Sequence, residues 1–367
     1  MKLLTVVGAR PQFIKAAVIS RNIAEHNLTH TKIFEEIIHT GQHYDDAMSD
    51  MFFRDLKLPK PVVNLNVNKG THGEMTGQML EKLEQQMLQR KPDCVLVYGD
   101  TNSTLAAALA AAKLKIPIAH IEAGLRSYNR NMPEEINRVM TDHLSSILFG
   151  PTQQSIDNLT KEGITKNVSL VGDVMFDSFK YYHKQISDEA RQLFMAKHNL
   201  RHKEFILATC HRAENTESKQ KVIEILETLG KLAKEFKVIF PMHPRTQKHI
   251  EQYNLSHLLE KILVLPPATY EDMIILLEQA RFVITDSGGL QKEAWFSETP
   301  CITLRTETEW PETLMNNNNR LSPPVLTDIL SACLQASKHT FIPSLNAFGD
   351  GSTGRKIVDK LLSYCNH

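Results

Sequence analysis

"CVLVYGDTNSTLAAALAAAKL", residues Cys94 to Leu114, changes character in its middle. It begins as a short apolar run rich in valine, passes through Gly-Asp-Thr-Asn, and continues as an alanine- and leucine-rich segment of helical period. The same unit recurs as "LLTVVGARPQFIKAAVISRNI" from Leu3, "FILATCHRAENTESKQKVIEILETLGKL" from Phe205 and "FVITDSGGLQKEAWF" from Phe282. Strands that alternate with helices imply parallel sheets with helices on both faces. Right-handed crossovers then put the strand-end loops of each sheet on one edge, where chemistry is expected.

A chain of 367 residues exceeds the size at which one core usually keeps growing, so two domains are expected. The division falls near residues 170 to 180, after "SLVGDVMFD", where a charged helical stretch precedes the new strand "FILATC". The run Asn316 to Asn319 is too short for a linker and reads as a loop. A turn cluster at Phe348 to Gly354 precedes a last amphipathic helix.

The 42% hydrophobic and 23% charged content is that of an ordinary globular protein, and no apolar run approaches the ~20 residues that span a bilayer. The start, "MKLLTVVGARPQ", reads as a first core strand instead of a signal peptide. Lysine plus arginine equals aspartate plus glutamate, 42 each, so no global field draws in nucleic acid or an anionic membrane. Any anion must be held by local groups. Cys94, Cys210, Cys301, Cys333 and Cys365 are widely spaced and lack a C-x-x-C pair, which suits a reducing cytoplasm and argues against zinc or disulfides. His39 and His43 have i,i+4 spacing, but "HTGQH" contains a glycine turn and does not read as a metal helix.

Each strand-end loop has a functional and a plainer reading. "VVGARPQFIKAA" places Gly8, Arg10 and Lys15 around a helix start, whose unpaired N–H groups could join the cations in an anion site. A solvated Arg and Lys is the alternative, and the pattern is neither G-x-G-x-x-G nor a Walker A loop. Asp100 in "VYGDTNST" ends a strand as a candidate carboxylate or an N-cap. Glu122 in "IPIAHIEAG" reads as a carboxylate within an apolar strand, where burial would favour proton transfer or pairing with Arg126 or Arg138. Glu134 in "MPEEINR" follows a proline at a helix's first turn, where capping is the plainer role.

"ATCHRAEN" brings His211, Arg212 and Glu214 to a strand end, as anion ligand and proton carrier or as a surface loop. "PMHPRT" repeats the arrangement with His243 and Arg245 between prolines. In "ITDSGGLQKEA", Gly288 and Gly289 let backbone approach a ligand, Ser287 adds a hydroxyl and the helix amides point at it, a cradle for phosphate. Glu293 lies i,i+4 from Gly289 on the same face, and "LRTETEWPE" offers Arg305 after the next strand.

Together "GARPQFIK", "YGDTNST", "HIEAGLR", "MPEEINR", "HRAEN", "TDSGGLQKEA" and "RTETEWPE" resemble, in order and approximate spacing, the non-hydrolysing UDP-N-acetylglucosamine 2-epimerases. The likeness runs from Met1 to the "FGDG" turn. It implies an α/β fold of GT-B type: two Rossmann-like, doubly wound domains with a cleft between them. Residues 1–172 would form the sugar-side domain with the catalytic carboxylates and 173–350 the UDP-binding domain. Residues 351–367 would be a helix packing back on the first domain. By resemblance, Ser287, Gly288 and Gly289 hold the diphosphate and Glu293 the ribose hydroxyls. Arg10, Lys15, His211 and Arg305 match residues around the phosphates and sugar, and His243 joins the binding set. Asp100, Glu122 and Glu134 match the carboxylates of proton transfer, and His211 the catalytic histidine. The implied reaction inverts C2 without cofactor or metal, through a glycal and UDP, in a cytoplasmic homodimer that takes a UDP-sugar and neither nucleic acid nor membrane.

Two departures stand out. Ala268 and Met273 stand where the family commonly has glutamine and an aromatic near the uracil. The loop that in many members binds a second, activating UDP-sugar reads "GQHYDDAM", with Gln42 and His43 as candidate regulatory residues and an acidic pair after them. The wording of "GARPQFIKAA" and "TEWPE" is similar to the branch that handles modified UDP-hexosamines. The rival readings are a GT-B glycosyltransferase, a hydrolysing epimerase releasing N-acetylmannosamine, and a UDP-sugar sensor.

Overall fold

The computed structural model describes residues 1–30, 32–42, 56, 58–344 and 346–365, apart from the side chains of Arg10 and Cys365. The chain forms two compact units: residues 1–178 with 346–367, and residues 179–345.

Unit 1 runs β1 (Lys2–Val7), α1 (Arg10–His26), β2 (Phe34–His39), β3 (Val63–Asn64), α2 (His72–Arg90), β4 (Cys94–Tyr98), α3 (Asn102–Lys113), β5 (Ile118–Ile121), α4 (Pro133–Leu144), β6 (Ile147–Gly150), α5 (Gln153–Lys161) and β7 (Val168–Leu170). Among the described residues its seven strands are parallel, in the order β3-β2-β1-β4-β5-β6-β7. Helix α6 (Val174–Gln185) carries the chain across the unit boundary.

Unit 2 continues with α7 (Asp188–Lys197), β8 (Phe205–Ala208), α8 (Ala213–Thr216), α9 (Lys219–Leu232), β9 (Lys237–Pro241), α10 (Pro244–Gln252), β10 (Leu263–Leu265), α11 (Tyr270–Gln279), β11 (Val283–Thr285), α12 (Gly288–Phe296), β12 (Cys301–Thr303), β13 (Asn319–Leu321) and α13 (Leu326–Lys338). Its six parallel strands are ordered β10-β9-β8-β11-β12-β13. Both units are therefore Rossmann-like and doubly wound, the α/β architecture of the GT-B class. In each, strand order reverses beside the first strand, between β1 and β4 and between β8 and β11. Open α/β sheets bind ligands at such switch points.

Burial follows the pleat. In β8, Ile206 and Ala208 join one apolar cluster with Val222, Leu226 and Leu229 of α9. Phe205 and Leu207 join the cluster of Leu276, Leu277 and Ala294 on the other face. In α3 the buried face is mostly alanine, Ala106 to Ala108 with Ala110 and Ala111, so the helix packs closely between α2 and α4. The last helix, α14 (Thr353–Cys365), packs on α1 of unit 1. A methyl at Gly354 would lie 2.4 Å from Asn22 Nδ2 and 2.8 Å from Val18 Cγ1, so this approach needs glycine. Cys94, Cys210, Cys301 and Cys333 are buried. Among the described residues no helix is long and apolar enough to cross a membrane.

Candidate active site

In unit 1 the ends of β1, β4 and β5 converge. Lys15 Nζ, on α1, pairs with the Glu122 carboxylate, and both side chains are buried. Glu122 is not within the strand, as its apolar context suggested, but one residue past the end of β5, with φ +70°. That left-handed conformation costs a non-glycine residue about 1–2 kcal/mol and marks a position held by its surroundings. Lys15 is a cation partner that the sequence did not offer; it pointed to Arg126 or Arg138. Arg126 bonds Asp142 and Glu162, each at 2.7 Å.

Arg138 pairs with Asp100 and, at 3.2 Å, with Glu135. Asp100 is not the cap of α3: Thr101 is, its hydroxyl accepting from Thr104 N at 3.3 Å. The Asp100 carboxylate is thereby released to Arg138. Gly99 turns the chain between β4 and Asp100 at φ +61°, and a methyl there would lie 3.2 Å from Glu122 Oε2. The Asp100 and Glu122 loops are thus in contact. Glu134 is exposed at the start of α4, i,i+4 from Arg138. Its neighbour Glu135 is the structural member of the pair, accepting from Ser127 N and Oγ and from Tyr128 N, all at 2.9 Å.

The start of α1 differs from an open anion site. Gln12 Oε1 accepts from Gly8 N at 2.7 Å and Ala9 N at 3.0 Å, while its Nε2 donates to Tyr98 O at 2.8 Å. Pro11 brings no N–H. Gln12 therefore spends the loop amides on tying β1 to β4. Arg10 opens α1. Gln42 Oε1 accepts from Ser103 N and Oγ, at 3.1 and 2.7 Å, so this candidate regulatory residue caps the start of α3; His43 lies outside the described residues.

In unit 2, Asp286 is fully buried just past β11 and organises the loop after β8. It accepts from His211 N at 3.0 and 3.1 Å, Arg212 N at 2.9 Å, Asn215 Nδ2 at 3.1 Å and Cys210 Sγ at 3.3 Å. Burial and the nearby carboxylate push the Cys210 thiol well above its ordinary pKa, so it stays a donor. His211 stacks on His243, centroids 5.3 Å apart. His243 itself caps α10, its Nδ1 accepting from Arg245 N at 3.1 Å. Burial, then Arg212 and Arg245, hold the His211 pKa below its ordinary value against the opposing pull of Asp286.

Beside them, Ser287 caps α12 through a 3.3 Å bond from Leu290 N. A methyl on Gly288 would lie 2.6 Å from Glu309 Oε1, whereas on Gly289 the nearest atom would be 3.9 Å away. Glu309 bonds Arg305 at 2.8 Å and approaches Arg212 at 3.8 Å. Gly288 therefore makes room for a carboxylate of this chain, and Gly289 faces open space. Glu293 is buried on α12.

A family model described as UDP-N-acetylglucosamine 2-epimerase matches residues 26–362. This chain belongs to the UDP-N-acetylglucosamine 2-epimerase family. A Methanococcus maripaludis relative named as a UDP-N-acetylglucosamine 2-epimerase homolog is 47% identical, over 98% of this chain and 99% of its own. The UDP-2,3-diacetamido-2,3-dideoxy-D-glucuronate 2-epimerase of Pseudomonas aeruginosa is 45% identical over 98% and 99%. The crystal structure of Methanocaldococcus jannaschii UDP-GlcNAc 2-epimerase, in complex with UDP-GlcNAc and UDP, is 41% identical with a TM-score of 0.90, over 99% of this chain and 100% of that one.

Within unit 1 the fold brings together Lys15, Asp100 and Glu122; within unit 2, His211, His243, Gly288 and Arg305 share one loop cluster through Arg212, Arg245 and Glu309. Sequence reasoning missed Gln12, Asp286 and Glu309, which hold these groups. A polar residue at the end of a buried strand, as in "VITD", was the available signal for Asp286.

Proposed function

We propose that this protein interconverts the C2 epimers of a UDP-N-acetylhexosamine by eliminating UDP and adding it back. A base takes the C2 proton, the C–H electron pair forms the C1=C2 bond of a glycal, and the C1–O bond breaks with its electrons leaving on UDP. Proton and UDP then return, the proton to the other face. Asp100, Glu122 and Glu134 are the proton carriers on unit 1. On unit 2, the α12 amides of Gly288 and Gly289 with Ser287, Arg305 and His243 bind the diphosphate, and Glu293 the ribose. Arg10 and Lys15 complete the charge around phosphates and sugar. His211, held neutral at pH 7 by burial, can take a proton or accept one in a hydrogen bond. Fixed cations and helix amides suit a step that develops negative charge on a leaving diphosphate.

The observation that carries this reading is the contact between two strand-end loops, each presenting a carboxylate pinned by its own cation, Glu122 by Lys15 and Asp100 by Arg138. Paired acids at that edge suit proton transfer at carbon better than sugar transfer to an acceptor. The 45% identity to an enzyme named for a diacetamido glucuronate supports a modified hexosamine as substrate. The reading includes a cytoplasmic homodimer; Ile136 and Met140, exposed one turn apart on α4, support a self-association face that sedimentation can test.

Incubation with UDP-GlcNAc and with its diacetamido uronate analogue in D2O, followed by NMR, tests the reaction. Deuterium at C2 with UDP attached is expected. Free sugar would mean hydrolysis, and binding without exchange a transferase or sensor. Glu122→Gln should abolish exchange and keep UDP affinity.

A further inference from the structure

We propose that His120 and Asp142 are positioning residues that fasten the Asp100 and Glu122 loops from beneath. Both side chains are fully buried in unit 1, where a polar group is costly unless it is hydrogen-bonded. His120 Nδ1 lies 2.7 Å from Asp142 Oδ1 and its Nε2 lies 2.8 Å from the Gly99 carbonyl. A carboxylate and a carbonyl can only accept, so both ring nitrogens donate. One bond ends on the peptide that joins Gly99 to Asp100. The Gly99 N–H donates in turn to Ile121 O at 2.9 Å, so the residue before Asp100 is fixed at both ends.

Asp142 secures the other loop. Its Oδ2 accepts from Gly124 N, two residues past Glu122, at 3.0 Å and from Arg126, four past it, at 2.7 Å. Burial alone would raise the Asp142 pKa, but His120 and Arg126 hold it below the ordinary carboxylate range. Gly124 sits at φ +82°, and a methyl there would meet Ser155 O at 2.2 Å, so the loop has one available path. The left-handed backbone of Glu122 is thus clamped from both sides, at Gly99 and Gly124. A single imidazole–carboxylate dyad sets the spacing of two carboxylates that it does not touch.

This role rests on the proposed epimerisation, and two substitutions separate positioning from ordinary core packing. The glutamine amide of His120→Gln reaches the place of Nε2 and can keep the Gly99 bond. The asparagine amide of His120→Asn reaches the place of Nδ1 and keeps only Asp142. Measured as C2 deuterium incorporation into UDP-GlcNAc, H120N should lose on the order of 10²-fold in rate, the loss expected from about 1 Å of misplacement. H120Q should keep most of it, and the UDP dissociation constant should stay unchanged in both.

Equal losses in the two variants that track their melting temperatures, or a wild-type rate in H120N, would overturn the proposal. Should H120N not fold, Asp142→Asn replaces it: its oxygen is best kept where Gly124 N and Arg126 converge, so its NH2 takes the place of the oxygen that accepts from His120 Nδ1, and exchange should fall at least about tenfold with UDP affinity intact. A wild-type rate in D142N would equally refute the role. Wild-type protein that binds UDP-GlcNAc and its diacetamido uronate analogue without exchanging C2 of either would remove the epimerase reading and the positioning role together, whereas exchange insensitive to all three variants would remove only the latter.

Discussion

Asp286→Asn is nearly isosteric, yet it should weaken unit 2 more than its size suggests. The carboxylate takes three protein N–H groups and a thiol at 2.9–3.3 Å, with no solvent exposure. The variant does best by keeping its oxygen at the Oδ2 position, where Arg212 N, Asn215 Nδ2 and Cys210 Sγ converge. Its NH2 group then removes the 3.0 Å acceptor of His211 N, which keeps only the 3.1 Å bond to the oxygen at Oδ2. Hydrogen bonds to a charged group contribute about 1.5–3 kcal/mol and neutral ones about 0.5–1.5, so each of the two retained N–H bonds loses roughly 1 kcal/mol. His211 N, left with one of its two acceptors and that one neutral, loses roughly 1 kcal/mol more. The sum is about 3 kcal/mol, and at roughly 2–4 °C per kcal/mol for a domain of some 150–250 residues the unit should melt about 6–12 °C lower. Differential scanning calorimetry reads this directly, and isothermal titration should show weaker UDP binding because His211 and Arg212 lose their anchor. A melting temperature within about 2 °C of wild type would refute Asp286 as the organiser of this loop.

Gly288→Ala and Gly289→Ala should part company. The first pushes against Glu309 Oε1 at 2.6 Å and should lower both thermal stability and UDP affinity; the second meets nothing nearer than 3.9 Å and should melt as wild type while binding UDP at least about tenfold more weakly if the α12 amides hold the diphosphate. His211 should titrate below its ordinary pKa of 6.5 in NMR spectra of its ring nitrogens, and UDP should raise the midpoint. Because the folded value lies below the unfolded one, this group's contribution to stability is complete above about pH 6.5 and is lost as pH falls toward the folded pKa. A midpoint above 6.5 in the free protein would contradict the burial argument.

The fold was legible because period and punctuation agree along nearly the whole chain: valine-rich runs, polar loops, then alanine or leucine helices. Motif positions at strand ends followed from the same alternation. What could not be read was the direction in which each loop residue turns. "IPIAHIEAG" looks like continuous strand through Glu122, but the backbone leaves the sheet one residue earlier with a positive φ that no side-chain pattern announces. "GDTNST" offers five residues of capping type, and only tertiary contact with Arg138 selects Thr101 for the helix and Asp100 for the ion pair. Supporting residues were hidden for a related reason. Gln12, Asp286 and His120 each bond to segments distant in sequence, and a hydrogen bond between two strand ends leaves no periodic trace.

The same distinction bears on how UDP would be held. Arg305 already donates to Glu309 at 2.8 Å and Arg212 lies 3.8 Å from it, so these cations do not wait unneutralised for a ligand. A diphosphate that docks on the α12 amides would share or displace an existing carboxylate partner, and its net gain is the difference between two charge-assisted sets of hydrogen bonds. Such an exchange limits the affinity for free UDP. Reversible elimination needs that limit: a nucleotide gripped too firmly after C1–O cleavage would have no reason to return to the glycal, and binding that favours UDP over the transition state would not speed the reaction. Glu309 beside Gly288 is therefore as much a part of the proposed chemistry as the cations it neutralises, and Glu309→Gln should tighten UDP while slowing C2 exchange. Weaker UDP binding in that variant would show that Glu309 orders the arginines instead of competing for them.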